Sequence, residues 1–145
     1  MGCCNQKEVV VSEKAPKAIG PYSAGIKAGH FVFVSGQLGF DPATGSLVEG
    51  GVEAETRQLL TNMGNILEAA GSGMDQVVKT TVFLRDINDF ARMNAIYGEF
   101  FKTNPPARSA FQVAALPRGA AVEIEAVALL PETVDCCCSE SESVP

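Results

Sequence analysis

The sequence has no tryptophan and one histidine, and those two gaps remove much of the usual catalytic repertoire. His30 alone cannot build a two-histidine metal site, and no H-E-x-x-H or histidine-rich cluster occurs, so no metal is expected. It stands in Ala28-Gly29-His30, between apolar runs, which reads as an exposed turn. No G-x-S-x-G elbow supplies a serine partner for it. P-loop and G-x-G-x-x-G patterns are missing, so nothing signals a phosphate cradle. Cysteine is missing from the whole central stretch, because Cys3, Cys4, Cys136, Cys137 and Cys138 all lie near the ends. A disulfide framework inside the body is thereby excluded, and adjacent cysteines do not have the C-x2-C spacing of a zinc site. No apolar run approaches the ~18 residues of a membrane-spanning helix. Near the start only Val9, Val10 and Val11 run together, and the first arginine is Arg57, so neither a secretory nor an Arg-rich organellar leader is expected. A cytoplasmic protein is the expectation. Any catalysis must rest on carboxylates, arginine, tyrosine and backbone groups.

What remains is 145 residues, 46% hydrophobic, with a net charge of −6. One domain of this size buries roughly two-thirds of its unfolded surface and needs no metal or disulfide to fold. Charge divides the chain. The stretch 132–145 carries four acids and no base, with serine, proline and three cysteines, the composition of a flexible acidic tail. Between Lys14 and Pro131 there are eleven acids and ten bases. With no basic stripe or aromatic platform, nucleic acid is not an expected partner. The expected organisation is a flexible segment over 1–13 with a short strand, one domain over 14–131, and the tail over 132–145. The start Met1-Gly2-Cys3-Cys4-Asn5-Gln6-Lys7 suggests acylation at Gly2 with palmitate on Cys3 or Cys4, although Gln6 replaces the serine or threonine of that pattern. Membrane contact is expected only through such acylation.

Periodicity assigns the elements. Val9–Ser12 reads as a short strand, and Ser23–Ala28 with Phe31–Ser35 as a hairpin about Gly29-His30. Asp41-Pro42-Ala43-Thr44-Gly45 reads as a turn. A helix over Val52–Ala70 places Val52, Leu59, Leu60, Met63, Ile66, Leu67 and Ala70 on one face, with Gly71 as its stop. Gln76–Leu84 is β-branched and reads as a central strand. A second helix starts near Asn88, which is expected to cap it, and buries Phe90, Met93, Tyr97, Phe100 and Phe101 before Asn104-Pro105-Pro106 ends it. Ser109–Ala114 and Ala121–Leu130 complete the strands. This order predicts an α+β domain with two helices on one face of a sheet. The strands are apolar at both parities, Phe31 and Phe33 alternating with Val32 and Val34. Two helices cover one face only, so the other is expected to be buried against a second copy of the chain.

Two features can carry chemistry. Arg108 follows the stiff Pro105-Pro106-Ala107 and precedes a strand, where its planar fork suits a carboxylate, although a plain surface arginine fits the same pattern. In Val122-Glu123-Ile124-Glu125-Ala126-Val127, Glu123 and Glu125 share a strand face with Val127 and Leu129. They suit acid–base work or an edge-strand solubility device equally.

Together with their surroundings these residues resemble a known family. Ile19-Gly20-Pro21-Tyr22-Ser23, Val34-Ser35-Gly36-Gln37, Val78-Lys79-Thr80-Thr81-Val82, Pro106-Ala107-Arg108-Ser109 and Ala114-Ala115-Leu116-Pro117 with Val122-Glu123-Ile124-Glu125-Ala126 follow the order and spacing of the reactive intermediate deaminases (RidA, also called YjgF). The resemblance covers about residues 14–130. It implies a chorismate-mutase-like α+β fold, a mixed sheet, a homotrimer with sites between subunits, and no cofactor. It also implies hydrolysis of enamines and imines such as 2-aminoacrylate and 2-iminobutyrate to 2-keto acids and ammonia. By the same resemblance Arg108 binds the substrate carboxylate and Glu123 activates water, with Tyr22, Ser35, Gly36, Asn94 and Ala110 lining the pocket. Many members have cysteine where Ala110 stands, so a thiol nucleophile is unavailable here. Glu125 reads as structural. Alternatives are a ligand-sensing or chaperone-like module of the same fold, or a ribonuclease or translation inhibitor. A tight hairpin about Pro117-Arg118 would leave Arg108 and Glu123 roughly 10 Å apart along the strands, so either those strands are not neighbours or the pocket spans a subunit boundary.

Overall fold

The computed structural model describes residues 6–131. Gly2, Cys3 and Cys4, on which the acylation expectation falls, and the stretch 132–145 lie outside the described residues. The strands are β1 (Glu8–Val10), β2 (Gly25–Ala28), β3 (Phe31–Gln37), β4 (Val77–Leu84), β5 (Ala107–Gln112) and β6 (Val122–Leu129), with helices α1 (Gly51–Ala69) and α2 (Phe90–Phe100). They form a six-stranded sheet in the order β1-β2-β3-β6-β4-β5. All neighbours are antiparallel except β4 and β5. No helix among the described residues is long and apolar enough to cross a membrane.

The α+β class and the two helices on one face agree with the sequence reading. α1 packs against β3, β6 and α2. Its apolar stripe is fully buried at Leu59, Leu60, Met63, Ile66 and Leu67, each such side chain contributing about 1.5–3 kcal/mol. They meet Val32, Val34, Ile124, Ala126 and Ala128 of the sheet in one core. Polar groups on the same helix hold the chain that leads to the site. Asn62 Nδ2 donates to the Phe40 carbonyl at 2.8 Å, and buried Glu55 accepts from Ala121 N–H at 2.9 Å, just before β6 begins. Gly39 lets this loop lie directly on α1, since a Cβ there would stand 2.7 Å from Glu55 Cα.

Several boundaries and one cap differ from expectation. The first strand begins at Glu8 and ends at Val10, and the second and third run Gly25–Ala28 and Phe31–Gln37. β5 is two residues earlier than read, starting at Ala107, because its pairing with β4 begins at Lys79. Asn88 does not cap α2. The Asp86 carboxylate accepts from Asn88 N–H at 2.9 Å, and a 3-10 turn at Ile87–Asp89 precedes the helix.

The strand order bears out one of the alternatives left open by the sequence, that the two last strands are not neighbours. β5 and β6 do not form a hairpin, because β4 lies between them. β4, α2 and β5 make a βαβ crossover, the connection parallel neighbours require. β3 and β4 run the same way with β6 inserted antiparallel between them, a split βαβ arrangement. The face away from the helices, the outer face, leaves Phe31, Phe33, Phe111 and Leu129 exposed.

Candidate active site

The site residues named from sequence fall into two groups. The first surrounds Glu123 on the outer face. Alternation along β6 buries Val122, Ile124, Ala126 and Ala128 under α1 and turns Glu123 and Glu125 outward with Val127 and Leu129. Opposite them β3 carries one extra residue: Val34 pairs with Ala126 and Gln37 with Ile124, so three steps on β3 match two on β6. The bulge falls at Ser35-Gly36. It re-aims the strand where the carboxylate needs room. A Cβ on Gly36 would stand 2.0 Å from Glu123 Oε1, so the missing side chain is the space the carboxylate occupies. On the other flank Glu123 pairs with Phe83, whose ring meets Phe111 edge-on at 5.4 Å. Burial pushes the Glu123 carboxyl above the ordinary glutamate value, and the like charge of Glu125 adds to the rise.

Gly36 also lines a cavity of about 320 Å³ between the loop 13–22 and the segment 36–45, walled by Tyr22, Ile19, Phe40, Lys17 and Arg118. Tyr22 is half-exposed, and its hydroxyl accepts from Ile19 N–H at 3.4 Å. The Ser35 hydroxyl donates to the Ser23 carbonyl, so its proton is committed and its oxygen remains an acceptor. The structure thus brings Tyr22, Ser35, Gly36 and Glu123 together.

The second group lies across the sheet. Arg108, near the start of edge strand β5, pairs with Thr80 of β4, whose side chain points toward the helices. Its guanidinium is held on α2: Nη1 donates to Asn94 Oδ1 at 2.8 Å, and the central carbon lies 4.6 Å from the Tyr97 ring and 5.4 Å from that of Phe90. Ala110, two residues on, shares this face. The structure brings together Asn94, Arg108 and Ala110.

The two groups do not meet within the chain. Arg108 stands at the level of Thr80 and Ala126, Glu123 at the level of Phe83, with β4 between. Two strand spacings and three residue rises separate their backbones by about 14 Å, and their side chains leave opposite faces. Sequence reasoning missed Phe90 and Tyr97 as neighbours of the arginine and treated them as core. Their spacing with Asn94 (i, i+4, i+7) already put all three on one helix face. It also missed the bulge and the Phe83–Phe111 wall.

Known proteins share this arrangement of strands and helices. Residues 12–130 match the family described as Endoribonuclease L-PSP. The human 2-iminobutanoate/2-iminopropanoate deaminase is 55% identical over 123 residues, covering 85% of this chain and 90% of that protein. The Bos taurus protein of the same name is 53% identical over the same shares. Among solved structures, the YjgF gene product of E. coli superposes with a TM-score of 0.82 at 44% identity, covering 86% of this chain and 99% of that one. E. coli TdcF, solved with bound serine, gives 0.81 at 41% identity, over 84% and 98%. This chain belongs to the Endoribonuclease L-PSP family, alongside the 2-iminobutanoate/2-iminopropanoate deaminases.

Proposed function

We propose that this chain is a hydrolytic deaminase that converts enamine and imine acids such as 2-aminoacrylate and 2-iminobutyrate to 2-keto acids and ammonia, in the cytoplasm. The observation that carries the reading is the Glu123 carboxylate, seated in the gap left by Gly36 with its pKa raised, beside the cavity that Tyr22 shares. A carboxylate so placed is a better base toward water than an exposed one and returns the proton readily. Relatives more than half identical bear the name of this activity.

An enamine first tautomerises to its imine, whose C=N carbon is already electrophilic. Arg108 holds the substrate carboxylate in its fork and fixes the orientation. Glu123 takes a proton from water as the oxygen bonds to the imine carbon and returns it to the nitrogen, giving a carbinolamine. Glu123 then takes the hydroxyl proton as the C=O bond forms and the C–N bond breaks, and passes it to the departing nitrogen, so ammonia leaves. Water supplies the keto oxygen, and both of its hydrogens leave on nitrogen. Ser35 and Gly36 border the carbinolamine, where the Ser35 oxygen serves as an acceptor for its amino group. Tyr22 walls the pocket, Asn94 keeps Arg108 in place, and Ala110 leaves space beside it.

Because Arg108 and Glu123 leave opposite faces about 14 Å apart, one chain cannot apply both to a small substrate. The Glu123 half-site of one copy therefore meets the Arg108 half-site of the next. Two different patches joining head to tail close into a ring, and a ring of three also covers the exposed Phe31, Phe33, Phe111 and Leu129. The test is complementation. Arg108→Ala and Glu123→Ala are each expected to lose 2-ketobutyrate release in an assay coupled to threonine dehydratase. After mixed refolding, a site is intact when one copy supplies arginine and its neighbour glutamate, so about a quarter of wild-type activity returns. A mixture as dead as its components refutes the shared site.

A further inference from the structure

We infer that Tyr97 is a positioning residue for Arg108: its ring sets the plane of the guanidinium, and its hydroxyl is tied through Thr80 to the strand beside the arginine's own. The inference rests on the proposed role of Arg108 as carboxylate anchor and names what holds that anchor.

Three elements converge here. Thr80 and Arg108 are partners in the parallel β4–β5 register, so their side chains rise together on the helix face. Tyr97 descends from α2 between them, its Oη 2.7 Å from Thr80 Oγ1 and its ring centroid 4.6 Å from the guanidinium carbon. Phe101 packs against the same ring at 4.7 Å. Tyr97 is 5% exposed and Thr80 fully buried, so the two hydroxyls form a polar pair among apolar neighbours. Two apolar residues of similar shape would fill that space at no greater cost. What the pair adds is a fixed ring orientation. Burial also pushes the Tyr97 hydroxyl above its ordinary value.

The consequence is a guanidinium whose freedom is restricted in two directions. The guanidinium carbon lies over the Tyr97 ring, where stacking would fix its plane, and the bond from Nη1 to Asn94 ties one nitrogen to α2. Arginine has five N–H donors, all lying in the plane, so a fork laid along the ring keeps the donors away from Asn94 available to a ligand. A carboxylate gripped by two parallel bonds must be coplanar with the fork. An arginine without the platform samples other planes and grips it less often.

The experiment compares binding of 2-ketobutyrate with its uncharged amide, 2-oxobutanamide, by calorimetry on the assembled protein. Wild type is expected to prefer the acid, and Arg108→Ala to lose that preference. Tyr97→Leu is expected to reduce the preference about tenfold, raising KM with little change in kcat, since the platform serves ground state and transition state alike. Tyr97→Phe and Thr80→Val each remove one hydroxyl and are expected to reduce it about threefold, with the double variant no worse than either. A merely structural tyrosine would lower Tm and weaken acid and amide together. An unchanged preference in Tyr97→Leu, alongside its loss in Arg108→Ala, overturns the inference while the anchor reading stands. Should Tyr97→Leu not fold, unchanged preference in both single-hydroxyl variants overturns it equally. An Arg108→Ala protein that still prefers the acid removes the anchor reading instead.

Discussion

Adding one methyl group at Gly36 separates the position of the Glu123 carboxylate from the stability of the fold. The Cβ of Gly36→Ala would stand 2.0 Å from Oε1, 2.9 Å from Cδ and 3.2 Å from Cγ of Glu123. Ordinary contact requires the oxygen to retreat by more than about 1 Å. The clashing atoms are the end of a flexible side chain, so the glutamate moves and the strands stay. Its off-rotamer cost of about 0.5–1.5 kcal/mol is offset by about 0.4–1 kcal/mol from stiffening the unfolded chain. Thermal stability should therefore stay within about 4 °C of wild type. Catalysis has no such tolerance. A displacement of about 1 Å costs on the order of 10²-fold, or about 2.7 kcal/mol of barrier.

The assay is 2-ketobutyrate release coupled to threonine dehydratase, run as a double-mutant cycle with Glu123→Ala. If the methyl group acts through the carboxylate, Gly36→Ala is harmful in the wild-type background and without effect once Glu123 is gone. A Gly36→Ala protein with wild-type kcat shows that the observed carboxylate position is not the working one. Equal damage in both backgrounds shows that Gly36 serves the substrate or the backbone directly.

Other consequences follow from the same geometry. The proposed reaction needs Glu123 ionised, so activity is expected to fall as pH drops through a pKa held above the glutamate value of 4.5 by burial and by Glu125. Glu125→Gln removes the like charge and should move the acid limb of kcat/KM to lower pH; an unmoved limb contradicts the assignment. For stability the sign is opposite to that of an ion-paired carboxylate: ionising Glu123 costs stability, so its favourable contribution is complete below pH 4.5 and lost as pH rises through the folded pKa. Glu123→Gln should accordingly gain Tm over wild type at neutral pH relative to the difference at pH 4, which paired melting curves would show. Glu55→Ala leaves the buried Ala121 N–H without its acceptor and should cost about 1–3 kcal/mol, seen as a lower urea midpoint that Glu55→Gln largely restores. Phe33→Asp, at a position 47% exposed on the outer face, should leave the monomer folded by circular dichroism. It should also abolish both the oligomer in sedimentation and the deaminase activity.

How far the sequence carried depends on the range of the signal. The α1 stripe from Val52 to Leu67, the turn at Asp41–Gly45 and the Gly29-His30 hairpin depend on residues within one or two turns of each other, and each was legible. The α2 cap was misread because Asn88 is a good cap residue, whereas it lies inside a 3-10 turn over Ile87–Asp89 that Asp86 caps, and α2 follows Asp89 with no side-chain cap. Strand order was not legible, since period-two alternation names the buried face of β6 without naming its neighbours. β4 lying between β6 and β5 sets the separation of Arg108 and Glu123, which the sequence left open between a hairpin and non-neighbouring strands. The resemblance named the site residues; their division into two half-sites needed the register. One sequence feature did anticipate that division. Phe31-Val32-Phe33-Val34 is apolar at both parities, while the helices cover only Val32 and Val34. The uncovered parity lies on the face that carries Glu123. In the proposed assembly, a second copy that covers those phenylalanines is also the one that brings an arginine to Glu123, so one interface would meet both needs.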